Sequence, residues 1–438
     1  MTALSDRLGI IICNYNKCEE TLECIQSVFQ SKGLAPGSYR LYITDNASTD
    51  DSAVRIFDEM TRLQYHDRIS FTVSSEDLGS CGGINLGIKQ ALHDGCEYVC
   101  CLGEAVTVHE DAIRNMLCFL KQNPKVGMVG GKVYHRHMPH YIQQYGISID
   151  FKHFRASTLY ADTYDDNTLP NEVYCDAISA CGLMVSAEVI DRVGLMPEDP
   201  FLYWDDTEWG YRIKKAGYDI VALGDVRLYH SASPLHHCDD TKANYYLTRN
   251  CLHFFMKYTK PEHCTKMSIV MLRSIYESFY LHRMGHAHNM AQSDMAALLD
   301  AAYNVRGRAA DNRILDNDEN GLGFVSFFEE QEAVYMEEDD PFLEQVIRQI
   351  NPNIVFMQLP KPDVVTIIRC NSILGIRDFS YSIDFSADVV YIDKSYRMLA
   401  THEDVRQVKD YEANLQTFLY AMQPAILRRI EEMRGIHI

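Results

Sequence analysis

The chain has 438 residues, 47% of them hydrophobic, so it can bury a large core and is expected to divide into two or three domains. Its formal net charge of −20 argues against a general nucleic-acid binder, because such proteins need a cationic surface that replaces the counterions around phosphates. The 14 cysteines show no paired C-x-x-C spacing and indicate reduced thiols. Without a signal peptide or about 18 uninterrupted apolar residues, the sequence predicts a cytoplasmic protein.

The first part of the chain alternates short apolar strands with helices. Strands are predicted over residues 9–13, 39–44 and 69–74. This alternation predicts a parallel sheet with crossover helices, in which ligands gather beyond the carboxyl ends of the strands. Asn14, Asn16 and Asp45 follow two of these strands. On its own, the strand-end Asp45 is equally consistent with a helix cap.

A glycine-rich stretch, DLGSCGGINLG, runs from Asp77 to Gly87 and leads into a helix predicted from about Ile84. The three glycines before or at the predicted helix start, Gly79, Gly82 and Gly83, permit close backbone approach to a bulky anionic ligand, with free N–H groups of this stretch aimed at it. The stretch is neither the dinucleotide fingerprint nor a Walker loop, which weakens the case for those nucleotide folds.

A further buried strand is predicted over 97–102 and is followed by Gly103, Glu104 and Ala105. Residues 141–171 are rich in aromatic and polar side chains and are interpreted as an insertion over a cleft. An apolar strand is predicted within 176–185.

The stretch from 200 to 233 combines acidic residues with a predicted helix. Asp205, Asp206 and Glu208 precede a helix predicted over 209–216. Carboxylates at a helix N-terminus are held in the ionised form, so at least one of them is expected to be available as a base. His230 ends the second of two short strands that follow. The alternative for an isolated Asp pair is a solvated acidic cap and a surface histidine.

Six motifs resemble, in the family's order, the inverting family 2 glycosyltransferases of GT-A fold. They cover roughly residues 8–252 and read IIICNYN, ITDNASTDD, DLGSCGGINLG, SACGLMVSAEVIDRVG, YWDDTEWGYRIKKAGY and YYLTRN. The combination of WDD, a later histidine and YYLTRN is most similar to bacterial galactofuranosyl and rhamnosyl transferases of surface polysaccharide synthesis. The resemblance implies an α/β fold with a Rossmann-like mixed sheet flanked by helices, then a helical segment and a small C-terminal α/β domain.

The resemblance also implies a role for each matching residue. Asp206 would be the base toward the acceptor hydroxyl and Asp205 would orient the site, with the acceptor near Trp204 and Glu208. The nucleotide-diphosphate sugar would have its base near Asp45. The implied donor-binding residues are Asn14, Asn16, Asp45, Asp77, Gly82, Gly83 and Asn85.

The sequence departs from the family pattern at the expected metal site. The resemblance implies Mn²⁺ or Mg²⁺ on the diphosphate, but Ala105 stands where a metal-binding Asp is expected. Either Ala105 is an inactivating substitution, or Glu104 and His230 manage the diphosphate without a tight metal. His230 is the expected surviving ligand, with His236 and His237 as alternatives.

Three domains are predicted: 1–240 for donor binding and catalysis, 241–320 as a helical segment, and 321–438 as an accessory α/β domain for oligomerisation or acceptor delivery. Residues 241–290 carry seven Lys and Arg against two Glu. This aromatic, basic stretch predicts either contact with an anionic membrane surface or a core packed on a neighbouring domain.

Two functions from different classes remain open at this stage. The first is a glycosyltransferase acting on a glycan or lipid-linked acceptor, and the second is a catalytically silent nucleotide-sugar-binding protein. A sugar nucleotidyltransferase is disfavoured, because the first strand lacks the Gly-rich basic loop that holds a triphosphate.

Overall fold

The computed structural model describes residues 7–35, 37–63, 68–232, 235, 240–318, 323–373, 389–399 and 402–437. Two compact units divide the chain, residues 1–150 with 155–233 and residues 151–154 with 234–438. The three-domain division with boundaries at 240 and 320 stays a prediction.

The first unit contains thirteen strands and six α-helices within its described residues. The strands are β1 Leu8–Asn14, β2 Tyr39–Asp45, β3 Ile69–Val73, β4 Tyr98–Gly103, β5 Val106–Val108, β6 Val126–His135, β7 Met138–Gln144, β8 Ile147–Asp150, β9 Arg155–Thr158, β10 Thr163–Tyr164, β11 Glu172–Tyr174, β12 Gly182–Ser186 and β13 Asp219–His230. The helices are α1 Cys18–Phe29, α2 Ser52–Arg62, α3 Gly79–His93, α4 Ala112–Gln122, α5 Ala187–Val193 and α6 Asp205–Lys215.

One mixed sheet organises the first unit. Its main path has the order β10-β7-β6-β12-β4-β1-β2-β3. The strands β4, β1, β2 and β3 are parallel, whereas β12 is antiparallel to both β4 and β6. Strand β13 pairs in parallel with β6 and antiparallel with β5 and β11. The segment predicted to be an insertion, 141–171, contains strands of this sheet and the separate hairpin β8–β9.

The sheet is buried on both faces, which explains the continuous apolar run in β1. Ile10 and Ile12 belong to one hydrophobic cluster, with residues of α1 and α4, whereas Ile11 belongs to a second, with residues of α3 and α6. A strand buried on both sides is apolar at every position rather than at alternate ones. The mixed sheet flanked by helices confirms the predicted fold class.

The second unit contains a helical part and a smaller sheet. Its helices are α7 Thr241–Tyr258, α8 Cys264–Met284, α9 His288–Ala302, α10 Phe324–Glu329, α11 Pro341–Ile350 and α12 His402–Arg434, and its strands are β14 Ala333–Met336, β15 Val355–Met357, β16 Val365–Arg369, β17 Val389–Ile392 and β18 Met398–Leu399. The sheet order is β15-β14-β16-β17-β18, with only the β17–β18 pairing antiparallel.

The aromatic stripe of α7 faces the interior of the second unit. Tyr245, Tyr246 and Phe255 are each at most 1% exposed, whereas Lys266 and Arg273 on α8 are exposed. This arrangement favours the core interpretation of residues 241–290, and contact with a membrane surface stays a prediction. Among the described helices, none combines the length and apolar character needed to cross a bilayer.

Candidate active site at the carboxyl edge of the sheet

Three neighbouring strands end side by side in the first unit. Strand β1 pairs with β2 so that Asn14 lies opposite Asp45, and with β4 so that Cys13 lies opposite Gly103. Because these strands are parallel, the polar residues after them gather at one edge, as the sequence predicted.

Asn14 and Asp45 are hydrogen-bonded to each other at this edge. The Nδ2 group of Asn14 donates to Asp45 Oδ2 at 2.7 Å and to Ser48 Oγ at 3.0 Å, while its Oδ1 accepts from Thr21 Oγ1 at 2.7 Å. The N–H of Ser48 donates to Asp45 Oδ1 at 3.0 Å. Asp45 is only 1% exposed, so its immediate role is to fix the loop after β2. Contact with a nucleoside stays a prediction.

Asn16 connects the loop after β1 to the loop after β2. Its backbone is left-handed, with φ of 54°, and its Oδ1 accepts from the N–H groups of Thr49 at 2.8 Å and Asp50 at 3.3 Å. The side chain is exposed, so Asn16 is the more accessible of the two asparagines predicted to bind the donor.

The glycine-rich stretch differs from its predicted form because α3 begins at Gly79, before the predicted start at Ile84. Asp77 Oδ1 accepts from the N–H of Gly79 at 3.0 Å and from Asn46 Nδ2 at 3.1 Å, and the N–H of Ser80 donates to Phe201 O at 3.0 Å. Two N–H groups expected to be free for a ligand are therefore engaged within the protein.

Gly82, Gly83 and Asn85 are buried inside α3 rather than in an open loop. A Cβ at Gly82 would lie 2.7 Å from Leu78 Cβ, and one at Gly83 would lie 2.3 Å from Cys13 Sγ. Asn85 Nδ2 donates to Met196 O at 3.0 Å and to Glu198 Oε1 at 2.9 Å. Close packing therefore explains both glycines, and direct donor contact by these three residues stays a prediction.

Asp205 and Asp206 form the first two positions of α6, four residues before the predicted helix start. Asp206 Oδ2 accepts from the N–H of Ala180 at 3.0 Å, and its Oδ1 accepts from the N–H of Thr207 and from Thr207 Oγ1. Asp205 Oδ2 accepts from Ser80 Oγ at 3.1 Å. Asp205 is 4% exposed and Asp206 is half-buried, so Asp206 is the accessible member of the pair.

The two carboxyl groups have shifted pKa values. Burial and the adjacent charge of Asp206 raise the pKa of Asp205 to about 7. Burial also raises the pKa of Asp206, while the N–H groups of Ala180 and Thr207 act in the opposite direction. Two adjacent carboxylates, one buried and one half-buried, cannot both ionise without mutual repulsion, so the pair favours one proton and one negative charge at neutral pH.

The residues predicted to meet the acceptor differ in accessibility. Trp204 precedes α6 in the left-handed region, with φ of 69°, and is half-buried. Its carbonyl accepts from the N–H of Glu208 at 2.9 Å. Glu208 is 6% exposed, so Trp204 is the more accessible of the two.

His230 and Ala105, two of the positions predicted to hold the metal, lie close together where β5 pairs with β13. His230 lies opposite Val106, and the N–H of Ser231 donates to Ala105 O at 3.0 Å. The Nδ1 of His230 lies 2.9 Å from Gln143 Oε1. Burial raises the pKa of Glu104 above its usual range. The backbone N–H of Glu104 and the charge of Lys17 act in the opposite direction.

This donor set does not fit a metal held by protein side chains alone. Within the described ranges, no three His, Cys, Asp or Glu residues are clustered as metal ligands would be, and Ala105 offers only a methyl group. His236 and His237 lie outside the described residues.

The sequence did not single out three groups that hold the predicted site residues. They are the Ser80 hydroxyl on Asp205, the Ala180 N–H on Asp206 and the Gln143 amide on His230. Each comes from a segment distant in the chain, so no local spacing could have identified the pairing.

Residues 9–183 match the model of the family described as Glycosyl transferase family 2. The chain therefore carries a domain of this family, and the predicted family is confirmed. The matched range ends before Asp205 and Asp206.

Curated relatives extend the similarity at low identity. A low-salt glycan biosynthesis hexosyltransferase of Haloferax volcanii is 24% identical over 231 residues, covering 52% of this chain and 67% of the relative. A galactofuranosyltransferase of Mycolicibacterium smegmatis is 24% identical over 204 residues, covering 43% of this chain and 30% of the relative. A dTDP-rhamnosyl transferase of Shigella flexneri is 26% identical over 147 residues, covering 34% and 47%. The similarity thus spans less than half the length of the last two relatives.

Among solved structures, a mannosyltransferase from Pyrobaculum calidifontis in complex with GDP-Man and Mn²⁺ is similar with a TM-score of 0.42. Sequence identity is 16%, and the similarity covers 71% of this chain and 79% of that chain.

Proposed function

We propose that this protein is an inverting glycosyltransferase of cell-surface polysaccharide synthesis. It would move a sugar, such as galactofuranose, rhamnose or another hexose, from a nucleotide-diphosphate donor to a hydroxyl of a glycan or lipid-linked acceptor. The observation that carries the proposal is the half-buried Asp206 at the start of α6, in a unit that contains a glycosyl transferase family 2 domain.

The position of Asp206 supports a role as general base. Residues 180 and 181 connect it to the end of β4, because the N–H of Ala180 donates to Asp206 and Cys181 O accepts from the N–H of Gly103 at 3.2 Å. The base candidate therefore lies beside the carboxyl edge where donor ligands of such sheets bind.

The proposed step is a direct displacement. The acceptor oxygen attacks the anomeric carbon, its proton passes to the carboxylate of Asp206, and the bond from that carbon to the diphosphate oxygen breaks with inversion. A positioned general base contributes about 10² to 10⁴ in rate. Asp205 stays protonated, so the pair of carboxyl groups carries a single negative charge.

A donor screen tests the proposal. We expect calorimetry with UDP-, GDP- and dTDP-sugars, with and without Mn²⁺, to identify at least one donor that binds. Absence of binding by every donor, both to this chain and to an Ala105→Asp variant, would refute the proposal. Ala105→Asn provides a control of similar size without the charge.

The second candidate, a silent nucleotide-sugar-binding protein, is favoured by Ala105 at the expected carboxylate position. If Ala105→Asp gains donor hydrolysis or sugar transfer and Ala105→Asn does not, the result supports the interpretation that the unaltered chain is a disabled enzyme. Silence in both variants, with donor binding retained, supports the binding protein.

The metal stays a prediction. Mn²⁺ is expected to bind weakly alone and appreciably only with a nucleoside diphosphate, with a loss in His230→Ala. The cytoplasmic location, membrane contact and homo-oligomerisation also stay predictions.

A further inference from the structure

The first turn of α3 lies directly against the segment that leads into α6. The N–H of Ser80 donates to Phe201 O at 3.0 Å. A Cβ at Gly79 would lie only 2.0 Å from the same carbonyl oxygen, so the two backbones are in contact and only glycine fits. The start of α3 therefore fixes the path of the chain just before the carboxylate pair.

That segment has an unfavourable backbone conformation. Phe201, Tyr203 and Trp204 have φ values of 68°, 59° and 69°, all in the left-handed region. Each such non-glycine residue is energetically unfavourable and persists only when its surroundings impose it. The contacts from Gly79 and Ser80 are part of those surroundings.

Ser80 adds a contact to the pair itself, since its hydroxyl lies 3.1 Å from Asp205 Oδ2. The two acids have different environments: Asp205 accepts from this hydroxyl and is only 4% exposed, whereas Asp206 accepts from the N–H groups of Ala180 and Thr207 and is half-buried. Burial disfavours the charged form of a carboxyl group, so the negative charge belongs on the more exposed Asp206 and the proton on Asp205.

We propose that Ser80 is a positioning residue that fixes the carboxyl group of Asp205 and, through it, the adjacent base Asp206. Helix α3 and the base Asp206 are then held in a fixed position relative to each other within the sheet domain. This inference rests on the proposed function for the role of Asp206, but the contact itself is independent of that role.

The titration of Asp205 provides a readout that a purely structural role would not change. Among the described residues, the titratable groups that face Asp205 include Asp206 on the same helix and Cys81 on α3. Burial raises the pKa of the Cys81 thiol, which stays protonated at neutral pH. A carboxyl that titrates near neutrality therefore reports on the pair, and its loss in Asp205→Asn assigns the signal.

The test is a ¹³C NMR titration of aspartate-labelled protein, with Ser80→Ala, Ser80→Thr and Ser186→Ala as variants. Loss of a hydroxyl donor to the carboxylate should raise the titration midpoint in Ser80→Ala by roughly one pH unit. Ser80→Thr keeps the hydroxyl and should restore the midpoint. Ser186→Ala removes the serine cap of α5, whose Oγ accepts from the N–H of Val189, and should lower stability without moving the midpoint.

Kinetics with a donor that passes the screen complete the test. Ser80→Ala should lower kcat about tenfold or more, as expected for a misplaced general base, and leave donor affinity unchanged. An unchanged midpoint in Ser80→Ala, or an equal change in Ser186→Ala, overturns the inference. A midpoint that depends on Ser80, when neither this chain nor Ala105→Asp binds any donor, would refute the proposed function and leave the contact between Ser80 and Asp205 standing.

Discussion

The chain contains two sheets with parallel strands, and their carboxyl edges differ in what their charged residues do. At the edge of the first sheet, the half-buried carboxylate of Asp206 lies beside the buried carboxyl group of Asp205. At the edge of the second sheet, Asp340 accepts from Arg369 Nε at 3.1 Å, and Arg369 also donates to the carbonyl of Asp393.

The charged side chains at this second edge form hydrogen bonds with other groups of the second unit. Asp340 caps α11 by accepting from the N–H of Leu343 at 2.9 Å, and the carboxylate of Asp393 accepts from the N–H groups of Ser395 and Arg397. Charges used in this way stabilise the fold. A shared sheet architecture therefore does not define a site, because the side chains at the strand ends decide it.

The largest expected effect is a loss of turnover on substitution at the first edge, with no loss on substitution at the second edge. In an Ala105→Asp background, Asp206→Asn should lower turnover by about 10² to 10⁴ because it removes the base, with donor affinity little changed. Single-turnover kinetics and donor calorimetry measure the two quantities. Asp340→Asn is the control at the second edge and should retain full turnover. Equal activity of Ala105→Asp with and without Asp206→Asn would remove this residue from the mechanism.

The second effect concerns pH and stability. The folded-state pKa of Asp205 is raised to about 7, so the folded protein binds more protons than the unfolded chain between about pH 4 and 7. Stability therefore falls as pH rises through this window and levels off above it. We expect Asp205→Asn to be more stable than wild type at pH 8 by on the order of 2 to 4 kcal/mol, with little difference near pH 4.

Urea unfolding followed by tryptophan fluorescence measures this difference in the first unit. The chain has two tryptophans, Trp204 and Trp209, and both lie at the start of α6. A stability advantage of Asp205→Asn that is the same at both pH values would contradict the assigned ionisation.

The smallest expected effect probes the second edge. Arg369→Ala removes a partly buried ion pair and a hydrogen bond, so it should lower the stability of the second unit by about 1 to 3 kcal/mol. Far-UV circular dichroism should detect this loss, while the tryptophan transition and turnover stay unchanged. Arg62→Ala breaks an exposed pair with Glu59 and should cost less than about 1 kcal/mol. A loss of turnover in Arg369→Ala would assign the second edge a part in the reaction.

Local patterns predicted the sheet and the edge at which Asn14, Asn16 and Asp45 meet. The pattern also placed His230 at a strand end. These predictions succeeded because strand polarity and apolar runs are encoded within a few residues.

The first residues of helices α3 and α6 were harder to predict from the sequence. Both α3 and α6 begin earlier than predicted, at Gly79 and Asp205, where glycine and aspartate have weak helix propensity. Ser80 and Asp205 are separated by 125 residues. Tertiary contacts of this kind overrode local propensity, and a single sequence does not reveal them.

Helix α6 carries acids in its first turn and Arg212, Lys214 and Lys215 in its last turn, an order that matches the helix dipole. Asp206 therefore suits the helix as well as the proposed chemistry, whereas Asp205 is buried at an energetic cost. Selection for stability acts against the charge of Asp205 and far less against that of Asp206. A lineage that no longer needed the reaction would be expected to replace Asp205 first and to keep an acid at position 206 for longer.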